Sequence, residues 1–164
     1  MLFRGGAEGT IRRALIEENL LDAVVGLPAN LFTTTGIPVA ILIFDRSREQ
    51  GGANEARKDV LFIDASKEFT PGKTQNVMED AHVARVLDTY AQRAEIARYS
   101  HRADGAEIAE NDFNLNIPRY VDTFEAEEEI DVAALQRDIV RIEGELAVVR
   151  ARMAGYLREL GVDG

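Results

Sequence analysis

Near the end of the chain, apolar residues recur in alternating steps of four and three: Leu135, Ile139, Ile142, Leu146, Val149, Met153, Tyr156 and Leu160. That alternation is a heptad seam running for about four heptads, and it predicts one long amphipathic helix over 132–160, roughly 43 Å at 1.5 Å per residue. Asp131 stands where an N-cap is expected. A seam of this kind needs a cover. Either the helix folds back on an earlier helix, or it reaches out to a helix of a partner or of a second copy.

The first part of the chain carries different patterns. Ile11, Ala14 and Leu15 fall at helical spacing behind a possible cap at Thr10, and Asn19 is an end signal. Leu21 to Leu27 is an apolar, β-branched run closed by Pro28. Val39-Ala40-Ile41-Leu42-Ile43-Phe44 is apolar without alternation, the habit of a central strand covered on both faces in an α/β sheet. A polar loop over 47–59 leads to a third strand, Val60 to Asp64. A helix is predicted over 77–99, where Asn76 and Glu79 have capping-box spacing and Val83, Val86, Leu87, Tyr90 and Ala94 make one stripe. Pro118 bars a helix across Asn111 to Tyr120. The patterns divide the chain at 1–75 (α/β), 76–130 (helical and irregular) and 131–164 (long helix).

Composition narrows the function. The 164 residues carry 29 acids against 19 Lys and Arg, a formal charge of −10, which argues against non-specific phosphate binding over the whole surface. By segment, 1–50 holds 6 acids and 5 bases, 51–120 holds 12 and 9, and 121–164 holds 11 and 5, so the excess lies at the end. No cysteine is present, which removes disulfides, thiolate metal sites and cysteine nucleophiles, and a cytoplasmic location is expected. No apolar run approaches the roughly 18 residues of a membrane helix. The start, Met1-Leu2-Phe3 running into Gly5-Gly6, reads as though a strand had been cut.

Several short motifs dissolve on inspection. Gly72-Lys73-Thr74 lacks the earlier glycine of a phosphate loop, since that place is Lys67, and reads as a surface turn. Gly5, Gly6 and Gly9 lack dinucleotide spacing. His82 and His101 have no metal-ligand spacing. The acids from Glu125 to Asp131 read as a solvated hinge before the helix. The loop from Leu27 to Pro38 keeps more interest, because it joins two core strands and open α/β sheets bind ligands at strand ends. Phe32 in that loop is either a core residue or a stacking platform.

Read in order, these blocks resemble the methylation subunit of type I restriction-modification systems, a DNA adenine methyltransferase family. The resemblance is carried by Leu2 to Gly6, Ile11 to Asn19, Leu21 to Pro28, Leu31-Phe32 with Thr35 to Pro38, Val60 to Ser66, Glu110 to Tyr120, and the terminal heptad helix. It implies the carboxy-terminal portion of a longer subunit: the last strands of a methyltransferase-type sheet with flanking helices, followed by a coiled-coil-like helix. The whole subunit would transfer a methyl group from S-adenosylmethionine to adenine. The family's glycine loop and Asn-Pro-Pro-aromatic motif are absent here, since Asn30 is followed by Leu31 and Asn116 by Ile117. The cofactor site is therefore expected upstream, and this stretch alone is expected to be inactive.

The same resemblance implies that Phe32 stacks on the flipped adenine. It also implies that the seam from Leu135 to Leu160 meets the specificity subunit and a second methylation subunit, in an enzyme that engages DNA. Arg119 is either scaffold, with the rest of Asn114 to Tyr120, or a contact to a phosphate or an acidic partner group. An apolar edge along Val39 to Phe44, left without its usual neighbouring strand, is expected to make the isolated chain self-associate. A competing reading is a non-catalytic helical interaction module.

Overall fold

The computed structural model describes residues 2–122 and 132–159, with side chains over 136–157 in the latter stretch. Contacts divide the chain into two compact units, Met1–Phe124 and Glu125–Gly164. The first unit is built on β1 (Leu21–Gly26), β2 (Ala40–Phe44), β3 (Val60–Asp64) and β4 (Ser100–Ala103), in the spatial order β2-β1-β3-β4. β1 runs parallel to β3 and antiparallel to β2, and β4 runs antiparallel to β3. This is a mixed α/β layer with helices on both faces.

Burial follows from that order. All six residues of β1 are buried, as are the first four of β3, so the continuous apolar runs there match strands covered twice. On one face Leu21, Val24 and Phe62 pack with Ile108, Leu115, Ile117 and Tyr120, beside Ile16 of α1 (Ala7–Glu17). On the other, Ala23, Val25, Leu61 and Ile63 meet Met78 and two residues, Val86 and Tyr90, of α2 (Asp80–Gln92).

Four expectations change. β2 lies at an edge of the described sheet, where the open edge along Val39 to Phe44 was expected, but it is not covered on both faces: Ile41 is 47% and Phe44 46% exposed. α1 starts before Thr10. Gly6, at φ 66°, caps the helix without a side chain, and the Thr10 hydroxyl donates back to the Gly6 carbonyl inside the first turn. α2 is shorter than 77–99. Its cap pairs Glu79 with His82, whose Nδ1 accepts the Glu79 N–H at 3.1 Å, and Arg93 ends it in the left-handed region. Asn76, the expected cap, instead braces the loop after β1. Of the predicted stripe, Val86 and Tyr90 pack on the sheet while Val83 and Leu87 are exposed.

The chain also forms α3 (Gly105–Glu110), capped by the Asp104 carboxylate, which accepts the Glu107 N–H at 2.9 Å. Pro118 sits in a 3-10 turn, Ile117–Arg119, where its missing N–H costs nothing. Gly72 to Thr74 lie in a turn closed by paired hydrogen bonds between Thr70 and Val77. In the second unit, α4 (Val132–Glu159) is one continuous helix. Ile139, Ile142, Leu146, Val149, Met153 and Tyr156 form a single exposed stripe on it, while the side chain of Leu135 and the whole of Leu160, like Asp131, lie outside the described residues. No helix among the described residues is long and apolar enough to cross a membrane.

Candidate functional site

Because β1 and β3 are parallel, their carboxy ends open on the same side of the sheet, where open α/β sheets hold ligands. A cleft of about 410 Å³ lies there, lined among others by Gly26, Leu27, Asp64, Ser66, Asn116 and Ile117. Its walls are mainly apolar. The polar groups are few and already oriented: one Asp64 carboxylate oxygen accepts the Ser66 N–H at 2.9 Å, and the Asn116 N–H donates to the Asn114 side chain at 3.0 Å.

The irregular segment after α3 forms one wall. Tyr120 stacks on Phe62 with ring centroids 3.9 Å apart, and its hydroxyl donates to the Asn114 carbonyl at 2.6 Å. Burial pushes the Tyr120 hydroxyl up to about 12, so it stays a donor. Arg12 of α1 clips the preceding turn by donating to the Phe113 carbonyl at 2.6 Å. Ile117 then fills the strand end: a Cβ built on Gly26 would lie 2.6 Å from the Ile117 Cδ1. Glycine at 26 is what lets this segment close on β1.

The loop from Leu27 to Pro38 rises from the same end. Asn30 turns it in the left-handed region at φ 53°, and the Asn30 N–H donates to the Gly36 carbonyl at 3.3 Å. Asn76 holds the base, donating through its backbone to the Asn30 carbonyl and through its side chain to the Ala29 carbonyl, each at 2.8 Å. Phe32 and Thr35 bridge across the tip. Phe32 is 46% exposed there and does not line the cleft. Arg119, on the 3-10 turn, is exposed and donates to the Asn111 side chain at 3.3 Å. It too stands outside the cleft lining.

At the opposite end of the strands the chain buries charge, which the sequence reading missed. The Asp22 carboxylate, on β1, accepts from Arg48, from Arg93 at 2.8 Å and from the Tyr90 hydroxyl at 2.7 Å. Arg48 is fully buried and also donates to the Asn19 side chain and to the Arg57 and Asp59 carbonyls. Arg93 bridges on to the Asp59 carboxylate at 2.9 Å. Burial works to raise Asp59, but the Arg93 hydrogen bond and charge outweigh it and hold the carboxyl below the usual range. Burial and the Asp22 hydrogen bond push the Tyr90 hydroxyl up to about 12. One signal was present in the sequence, an acid inside the apolar run from Leu21 to Leu27.

The N-6 DNA methylase family matches residues 1–129 of this chain. The chain belongs to that family. It is 29% identical to the type I restriction enzyme MpnII methylase subunit of Mycoplasma pneumoniae over 99% of this chain and 29% of that protein. It is 30% identical to the MjaVIII methylase subunit of Methanocaldococcus jannaschii over 97% of this chain and 27% of that protein. Among solved structures, the type I restriction-modification methyltransferase subunit from Streptococcus thermophilus superposes with a TM-score of 0.69 at 54% identity, covering 75% of this chain and 25% of that one. The chain thus spans less than a third of the length of these relatives.

Proposed function

We propose that this chain is the carboxy-terminal portion of a type I methylase subunit whose full length transfers a methyl group from S-adenosylmethionine to the exocyclic amine of adenine in DNA. The observation that carries the reading is the family match over residues 1–129, laid on a sheet whose strand ends present a cleft beside an exposed aromatic loop. Residues 1–75 belong to the methyltransferase α/β layer, 76–130 add α2, β4 and the irregular wall to it, and 131–164 serve assembly.

The residues present do not fit the cofactor. The space beside Gly26, where a glycine strand end would admit one, is filled by Ile117, and Asp64 is turned onto Ser66. No step is therefore derived through S-adenosylmethionine, and the isolated chain is expected to be inactive.

Phe32 is the group on this chain that meets the substrate. An exposed ring on a braced loop offers a π face to an adenine extruded from the duplex, an interaction worth about 1–3 kcal/mol per base. In the complete subunit, Phe32→Ala is expected to weaken binding to DNA carrying an unpaired target adenine by roughly 10- to 100-fold. Unchanged binding and unchanged methylation would reject the role. Arg119, exposed on its turn beside the Asn111 side chain, contacts a phosphate or an acidic partner group. Its Ala variant should lose binding in a salt-dependent way, and a loss that ignores salt would argue for scaffold alone.

α4 carries the assembly role, joining helices of the specificity subunit and of a second methylation subunit. Replacing Ile142 and Leu146 with Lys is expected to abolish capture of the specificity subunit in a pull-down; undiminished capture would count against it. The open, apolar edge of β2 makes the isolated chain self-associate. Light scattering at micromolar concentration checks this, and a strictly monomeric chain would contradict it.

A further inference from the structure

Burial anchors the Phe32 loop at its base, through Leu27 and Pro28, but from Phe32 to Pro38 every residue except Thr35 is exposed. The two backbone hydrogen bonds across the tip, from the Asn30 N–H to the Gly36 carbonyl and from the Thr35 N–H to the Phe32 carbonyl, are long at 3.3 Å each. The tip does not hold itself. Among the described residues, the hydrogen bonds that tie 28–38 to a distant part of the chain both come from Asn76, to the Asn30 and Ala29 carbonyls at 2.8 Å each.

Asn76 is itself fixed. The hairpin that carries it is closed by Thr70 and Val77, which exchange backbone hydrogen bonds at 2.8 and 3.0 Å, and its turn requires Gly72, where a Cβ would lie 2.2 Å from the Gln75 carbonyl oxygen. Just after Asn76, Met78 packs on the sheet and Glu79 caps α2. The brace also runs on into the loop. Asn30 is left-handed, and its side-chain oxygen lies so close over Gly36 that a Cβ there would stand 2.7 Å from it, so fixing Asn30 fixes the far side of the tip as well.

A ring on an unanchored loop must be ordered before it can stack, and that ordering subtracts from the affinity gained. We propose that Asn76 is a positioning residue for base stacking: it presents Phe32 to the extruded adenine and touches no part of the substrate itself. The inference rests on the stacking role given to Phe32. It gives the Gly72 to Thr74 turn a purpose that its sequence did not suggest.

The test uses the complete subunit and two DNAs, one with an unpaired target adenine and one abasic at that position. Asn76→Ala removes the side-chain donor and should weaken binding of the first by about three- to tenfold while leaving the second unchanged. Asn76→Asp keeps the volume but offers no donor, and should lose at least as much. In a Phe32→Ala background, Asn76→Ala should cost nothing further. In the 164-residue chain, hydrogen exchange at the Asn30 and Thr35 amides should quicken in Asn76→Ala while β1 and β3 keep their protection, which shows that the variant folds.

Equal losses on the two DNAs, an additive loss with Phe32→Ala, or unchanged loop exchange would overturn the positioning role and leave the stacking role standing. A Phe32→Ala subunit that binds both DNAs normally would remove the stacking role, and this inference with it.

Discussion

The two ends of the same four-stranded sheet use opposite chemistry. At the amino end of β1 and β3, Asp22, Arg48, Arg93 and Asp59 bury charge against charge, joined by two backbone carbonyls, the Asn19 side chain and a tyrosine hydroxyl. At the carboxy end there is a mostly apolar cleft, a glycine packed against Ile117 and a loop that leaves Phe32 half in solvent. Interior charge is costly to disturb because removing one partner strands the other, whereas an exposed ring can be cut away with little structural loss. The amino end is thus held by buried charge, and the carboxy end by apolar packing and backbone hydrogen bonds.

Removing Asp22 should break this contrast most forcefully. Asp22→Ala leaves the fully buried Arg48 without its carboxylate and is expected to cost about 3–5 kcal/mol of folding stability in urea denaturation. A loss below about 1 kcal/mol would mean the charged end is not the rigid one. Gly26→Ala comes next. Its Cβ would displace Ile117, costing about 1–3 kcal/mol, and Ile117→Ala in the same chain should recover part of that loss. A double variant whose cost is merely additive would show that the two do not press on each other.

Charge at the surface sharpens the point from the other side. On β4, the two ring nitrogens of His101 lie 2.8 Å from the Glu95 carboxylate and 2.9 Å from that of Glu107, and Glu95 also faces Arg102 at 3.9 Å. Partial burial lowers the imidazole's affinity for a proton, but the hydrogen bonds to Glu107 and Glu95 outweigh it and raise the histidine above its ordinary value. A raised folded value means the stabilisation is whole below the unfolded value of about 6.5 and is lost as pH rises through the folded one. The expected loss is under about 1 kcal/mol, seen in melts across that range and absent in His101→Gln. The smallest effect is assigned to Phe32→Ala, which should change the stability of this chain by no more than about 0.5 kcal/mol. A larger loss would make the ring part of the core after all.

How much of this could be read from the sequence depends on how local each cause is. β1, β2 and β3 stand where apolar runs predicted them; for β1 and β3 the cause is cover on both faces, which leaves Asp22 the one charged residue within the buried runs. β4 was missed. Ser100, His101, Arg102 and Ala103 contain no apolar run, and pairing with β3 makes the strand. β2 carries the same run as a strand covered on both faces, and nothing in that run announces that Ile41 and Phe44 stay half exposed. The cap of α1 is a backbone conformation at Gly6, which has no side chain to signal it. The cleft and the Asp22 cluster join residues that are distant along the chain, so no local spacing marks them. For Phe32 the loop between two strands left a core place and an open one equally readable, and the ring is 46% exposed.

A last consequence concerns time rather than equilibrium. Asp22 meets Arg48 across 26 positions and Arg93 across 71. Contacts that span so much chain close only after the intervening strands and α2 have docked, because loop closure must be met before they form. Interactions that arrive after the folding barrier act on the rate of unfolding and leave the rate of folding nearly untouched. Asp22→Ala is accordingly expected to speed unfolding more than it slows folding, read from the two arms of a urea chevron; a loss carried by the folding arm would place the cluster in the folding nucleus.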